Sequence, residues 1–257
     1  MHHILRLSET AYVGLCHKIG TPTEVRIRRE VDNAEEAVRK AIMKSRGFTT
    51  LKSGSNREGF RLSTSDEDYM SWEENVKVIC DLSQIRYYHV PRHVLILMEC
   101  DDLPPGFTRL KLISPSNDPI VKASCVVIEN EFYIFSTLYR NNHLRLHRLF
   151  PGDFRTSTSH GPCCSFIRDN TENDYLFCFH SYHWPTSALP WIQRCREQGW
   201  PCEAVLSDIL NTGFHVVPIG STPEKGEEWR ISFSLAEQKL VHSLNHYWVT
   251  QSGHNNP

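Results

Sequence analysis

The chain has 257 residues, 40% hydrophobic, 23% charged and 11% aromatic, which describes an ordinary globular protein with room for one large or two small domains. Lys and Arg number 28 against 30 Asp and Glu, a formal charge of −2; that balance argues against a body built wholly as a nucleic-acid or membrane clamp and leaves a local basic face open. The longest strongly apolar run, HVLILM at 93–98, is far short of a bilayer span, the first residues lack a secretory layout, and nine Cys without framework spacing read as reduced thiols of a cytoplasmic or nuclear protein, not a secreted one.

In chain order, residues 1–46 read as two helices. Leu5, Tyr12, Val13, Leu15, Cys16 and Ile19 form an apolar stripe, and Thr21-Pro22-Thr23 breaks that helix and caps the next. The second helix carries Arg26, Arg28, Arg29, Arg39 and Lys40 among acids, the pattern of a solvated, ion-paired face. From residue 47 the character turns to strands, at 76–82, 93–100, 107–113, 124–128, 132–139 and 174–182, divided by turn clusters such as DDLPPG and SPSNDP. Helical signals return at 186–198 and at 203–212, the latter closing at Gly213, and 228–247 reads as a strand running into an amphipathic helix. Helices, then strands, then both alternating predict an α+β fold with a mixed sheet. Trp184 and Trp191 are expected to be buried where the 186–198 helix meets the sheet.

The strongest chemical signal is LKSGSNREGFRLSTSDEDYM, 51–70. Gly54 lets backbone approach a phosphate, and the adjacent N–H groups and the Ser55 hydroxyl are suited to its oxygens, although no Walker loop occurs. If SDEDYM is a strand, Asp66 and Asp68 share one face and Glu67 takes the other. Two carboxylates about 7 Å apart along a strand suit hard divalent cations. A third carboxylate is best supplied by Asp174, at the start of DYLFCFHSY, with Asp81, Asp101 and Asp102 as competitors. Cys163-Cys164, Cys178, His160, His180 and His183 lack zinc-ligand spacing, and Cys178 with His180 reads as a satisfied core pair.

These residues resemble a known family. GSNREGFRLSTSDEDYM is similar to the phosphate loop and first two metal ligands of the cyclic GMP–AMP synthase-like receptors and their Mab-twenty-one-like relatives, which share a nucleotidyltransferase fold. SHGPCCSF, the stretch 174–201 with Trp-Pro followed by Gly-Trp-Pro, Val-Pro-Ile-Gly, and EWRISFSLAEQKLVHSLNH match in order. The resemblance implies that Gly54 and Ser55 hold a triphosphate, that Asp66, Asp68 and Asp174 bind Mg²⁺ or Mn²⁺, and that Arg230, Ser232 and Ser234 reach the nucleotide. It also implies three parts: N-terminal helices at 1–46, a nucleotidyltransferase core at 47–220, and the start of a helical lobe at 221–257.

Active members of the family sense double-stranded nucleic acid and join ATP and GTP into a cyclic dinucleotide in innate immunity. Others are developmental proteins without established transferase activity. Two readings follow: a metal-dependent nucleotidyltransferase, or a catalytically silent binding or regulatory protein or fragment of the same fold. In the enzymes a further helical lobe supplies a base-stacking aromatic and a lysine, whereas this chain ends in YWVTQSGHNNP, so it is expected to bind Mn²⁺ and nucleotide but to make little cyclic dinucleotide alone. Lys40, Lys44, Arg46 and Lys52 are the candidates for a basic face toward double-stranded RNA or DNA.

Overall fold

Two helices open the fold, α1 (His2–Ile19) and α2 (Pro22–Lys44), in a computed structural model that describes residues 2–45, 47–60, 66–149, 155–168 and 171–252. The start of α2 follows from its sequence: the Thr21 hydroxyl accepts from the Glu24 amide, the Glu24 carboxylate accepts from the Thr21 amide, and Pro22 needs no donor there. The arginines of α2 do more than solvate a face. Arg28 donates to the Ile19 carbonyl, Arg29 Nε to the Glu58 carbonyl at 3.0 Å, and Arg39 lies over the Tyr69 ring at 4.4 Å.

The middle of the chain runs β1 (Phe48–Ser53), α3 (Gly54–Arg57), β2 (Glu67–Glu73), β3 (Val76–Ile79), β4 (Val94–Glu99), β5 (Phe107–Leu112), α4 (Pro119–Ala123), β6 (Cys125–Ile128), β7 (Glu131–Ile134) and α5 (Ser136–Leu149). It continues with β8 (Arg155–His160), β9 (Cys163–Arg168), β10 (Thr171–Phe177), β11 (Phe179–Ser181), α6 (Leu189–Gln198), α7 (Glu203–Asn211), β12 (Phe214–Val217), β13 (Glu228–Ser232) and α8 (Ser234–Ser252). Among the described residues, five strands form one sheet in the order β1-β2-β10-β9-β8. The other sheet runs β11-β12-β13-β5-β4-β3, with β7 on β5 and β6 on β7. Both sheets mix parallel and antiparallel pairs: β2 with β10 and β3 with β4 are parallel. The architecture is therefore α+β with mixed sheets, as the order of elements predicts. No described helix is long and apolar enough to cross a membrane.

Two expected strands come out differently. The run 132–139 ends as a strand at Ile134, and α5 begins at Ser136. Strand alternation would send Ile134 and Tyr139 to opposite faces, whereas the helix lets Tyr139, His143 and Leu144 bury one face and brings Tyr139 into the same core as Ile134. The run 174–182 is broken at Cys178, which donates its amide to the Ser71 carbonyl at 2.9 Å, so the chain passes from one sheet to the other there.

The main core gathers Val78, Ile96, Leu110, Ile134, Tyr139, Phe179, Phe214 and Val216 around Trp229, which has no exposed surface. Trp184 and Trp191 are half-buried instead of buried: they stack on each other at 5.6 Å, and Trp184 continues onto Phe233 at 4.9 Å. A stacked pair at the sheet's margin covers its apolar faces without entering the core. Trp229 instead donates its indole N–H to the Ile134 carbonyl at 2.7 Å and touches the rings of Tyr139 and Phe179. Trp229→Ala leaves both a cavity and an unpartnered carbonyl, so it is expected to cost about 3–5 kcal/mol in urea unfolding. Trp191→Ala is expected to cost less than half of that. Equal costs would contradict this assignment of the core.

Candidate active site

Strand pairing brings the acidic residues together. Asp68 on β2 lies directly beside Asp174 on β10 in the parallel ladder, and Asp174 faces Ser165 across the antiparallel β9–β10 pair. Cys163 lies two residues before Ser165 on β9, so it shares that face. One ligand atom each from Asp68, Cys163 and Asp174 lie within 4.8 Å of one another. Asp174 is 6% exposed, and its Oδ1 has no hydrogen-bond partner; the buried Ser165 hydroxyl also has none.

The face behind these residues is wired differently. Glu67 accepts from Lys52 Nζ at 3.2 Å and from the Tyr69 hydroxyl at 2.6 Å, and Lys52 also reaches Asp32 on α2 at 2.9 Å. Asp66 stands just before β2, exposed and outside the three-donor cluster, with its backbone carbonyl accepting from the Asn56 side chain. Of the other acids weighed for the third position, Asp81 accepts from the Ser83 amide at 2.7 Å to cap the short 3₁₀ turn Leu82–Tyr87. Asp101 and Asp102 occupy the turn between β4 and β5, with Asp102 at φ +60°.

The Gly-Ser turn abuts the pair. Gly54 has φ +74°, and a Cβ there would come 1.9 Å from Asp68 Oδ2, so both the backbone conformation and the close approach require glycine. Ser55 is exposed beside it. The turn is held from behind by the buried Arg57, which bonds Glu36 Oε2 at 3.1 Å and Asn33 Oδ1 at 2.6 Å on α2, and by Arg29 on the Glu58 carbonyl. From the other side Gln238 on α8 donates to the Lys52 carbonyl at 3.4 Å.

Arg230, Ser232 and Ser234 sit on and just after β13, in the other sheet. Arg230 is exposed, and the Ser232 and Ser234 hydroxyls bond each other at 2.7 Å. Among the described residues no hydrogen bond or ion pair joins these three to Asp68 or Asp174. Of the residues considered for a basic face, Lys40 and Lys44 are exposed on α2, and Arg46 lies outside the described residues. Lys52 is unavailable to a phosphate, being 7% exposed and committed to Asp32 and Glu67. Cys178 and His180 are buried in the core, bonded to the Ser71 and Thr212 carbonyls.

Burial, with the charges of Asp66 and Asp174 added, pushes the Asp68 carboxyl up to about 6. Burial, then Asp174 and Asp68, pushes the Cys163 thiol up to about 12. Among the described residues the site thus concentrates negative charge without supplying a cation of its own. Cys163 was not among the residues singled out for the site from sequence; the signal was its place in SHGPCCSF, read at strand period from Ser165.

Residues 167–243, from within β9 into α8, match the family model of the Mab-21 protein nucleotidyltransferase domain. The match supports likeness to the Mab-21-like proteins over that stretch, and the α+β architecture is consistent with a nucleotidyltransferase-fold domain. The matched stretch contains Asp174, Arg230, Ser232 and Ser234; Gly54, Ser55, Asp66 and Asp68 lie outside it.

The raised Asp68 fixes a sign for stability. Its ionised form is disfavoured in the fold, so metal-free protein loses stability as pH rises from about 4, the unfolded value, to about 6, the folded one. Asp68→Asn in EDTA is expected to melt roughly 2–4 °C higher than the unsubstituted chain at pH 7.5, the equivalent of about 1 kcal/mol for a half-exposed group, and no higher at pH 4. A difference that is the same at both pH values would show that the fold does not disfavour ionised Asp68.

Proposed function

We propose that the chain is a metal-dependent nucleotidyltransferase of the cyclic GMP–AMP synthase-like kind, acting on ATP or GTP. The observation that carries this reading is the buried Asp174, one carboxylate oxygen unpartnered, beside Asp68 on the neighbouring strand and under the Gly54 turn. Buried like charges of this kind are unfavourable by themselves and are explained by a cation that they hold in common.

Asp68 and Asp174, with Asp66 at the rim, are the residues to hold Mg²⁺ or Mn²⁺. Such an ion would supply charge neutralisation on a phosphate and on the hydroxyl that attacks it. The chain's own part is positional. Gly54 lets the turn pack directly against Asp68, and the Ser55 hydroxyl and the amides of the turn are suited to triphosphate oxygens. Arg57, Glu36 and Asn33 keep that turn fixed relative to the carboxylates, and positioning supplies much of the rate in phosphoryl chemistry. Asp68 must be ionised to take part, which favours activity above about pH 6.

Arg230, Ser232 and Ser234 belong to this reading as nucleotide contacts from the opposite sheet. A cyclic dinucleotide as product, and a trigger by double-stranded nucleic acid in innate immune signalling, rest on the family resemblance, with Lys40 and Lys44 among the exposed cations of α2.

The test is to measure ATP and GTP binding with Mn²⁺ and with EDTA, and product formed from labelled nucleotides, with and without double-stranded RNA. Nucleotide is expected to bind only with Mn²⁺, and Asp174→Asn is expected to lower both binding and any labelled product at least tenfold. Binding that is indifferent to Mn²⁺ and to Asp174 would overturn the reading.

A further inference from the structure

The third donor beside the two carboxylates is a sulfur. Cys163 Sγ and one oxygen each of Asp68 and Asp174 lie within 4.8 Å of one another, close enough for the three donors to converge on one cation that takes bonds of about 2.0–2.3 Å. The neighbouring thiol on β9, Cys164, is turned to the other face, where it approaches the Arg140 carbonyl at 3.7 Å and packs with Leu144 and Phe166. Strand alternation therefore presents one thiol of the pair to the acids and sends the other to the core. Asp174, nine-tenths buried with its Oδ1 unpartnered, completes a set of donors for which the described residues provide no cation.

We propose that Cys163 is a direct ligand of the cation held by Asp68 and Asp174, and that it makes the site prefer a borderline-soft divalent cation such as Zn²⁺ or Co²⁺ over Mg²⁺. The inference rests on the reading of Asp68 and Asp174 as a cation site. Magnesium takes oxygen ligands in near-ideal octahedral geometry and gains little from sulfur, whereas thiolate binds zinc and cobalt strongly. On coordination the thiol gives its proton to bulk water and the sulfur's electron pair to the metal, without change of oxidation state. Mn²⁺ lies between these cases and binds chiefly through the carboxylates.

The experiment is a Co²⁺ titration of the full chain, followed by sulfur-to-cobalt charge-transfer absorption, beside Mn²⁺ binding followed by electron paramagnetic resonance. The unsubstituted chain is expected to develop the charge-transfer band, and Cys163→Ser and Cys163→Ala are expected to lose it while still binding Mn²⁺. Cys202→Ser, which removes an exposed thiol far along the chain, should leave the band in place. The preference for Zn²⁺ over Mg²⁺ should fall at least tenfold in both Cys163 variants, with circular dichroism showing that at least one keeps its fold. A band that persists in the folded Cys163 variant, or an unchanged preference, would overturn the proposal and leave the carboxylate site standing. Mn²⁺ binding unaffected by Asp174→Asn would remove the cation site itself, and the proposal with it.

Discussion

Parallel pairing of β2 with β10 sets Asp68 and Asp174 side by side, and the two carboxylates repel each other in partly buried surroundings. Nothing in sheet formation requires that register to bring acid against acid. A shift by one residue would place Asp174 beside Glu67 or Tyr69 and turn it toward the opposite face. The register is instead held by apolar residues further along the same strands. Met70 and Trp72 on β2 cluster with Cys178 and Val217, and Leu176 of β10 packs against them. The core thus enforces an electrostatic arrangement that would not form if the carboxylates alone decided.

Consecutive acids on β2 show how strand alternation separates structural charge from charge held ready. Glu67 is satisfied twice, by Lys52 and by the Tyr69 hydroxyl, and the Lys52 bridge to Asp32 ties β1 to α2. Asp68, one residue later, faces like charge, a thiol and a glycine. An ion pair of the first kind fixes the strand to its helix; a cluster of the second kind gains only from something added. The same division appears on β9, where Cys164 joins a hydrophobic cluster and Cys163 joins the acids.

Much of this frame was legible in the sequence where one local rule suffices. The cap in Thr21-Pro22-Thr23, the passage from strand to helix at 228–247 and the opposite facing of Glu67 and Asp68 each follow from spacing within a few residues. The reading failed where tertiary partners decide. The aromatic run 132–139 carries strand propensity throughout, yet Tyr139 reaches the core only if the chain turns helical after Ile134. Lys52 resembled its basic neighbours in sequence, and only the approach of α2 to β1 shows that its charge is already used. Cys163 is invisible to motif spacing because its partners stand on β2 and β10, joined to it by register and not by sequence distance.

The Gly54 turn links these two levels. With any side chain at 54, a Cβ would meet the Asp68 carboxylate, and the positive φ would add strain, so the turn and the acid are mutually dependent. Arg57 then ties the turn to Glu36 and Asn33, and Arg29 holds the carbonyl that follows it. Because α2 supplies these anchors, displacement of that helix would move the Gly54 turn relative to the carboxylates. The long helix outside the sheet is therefore part of the site's geometry although none of its side chains belongs to the three-donor cluster.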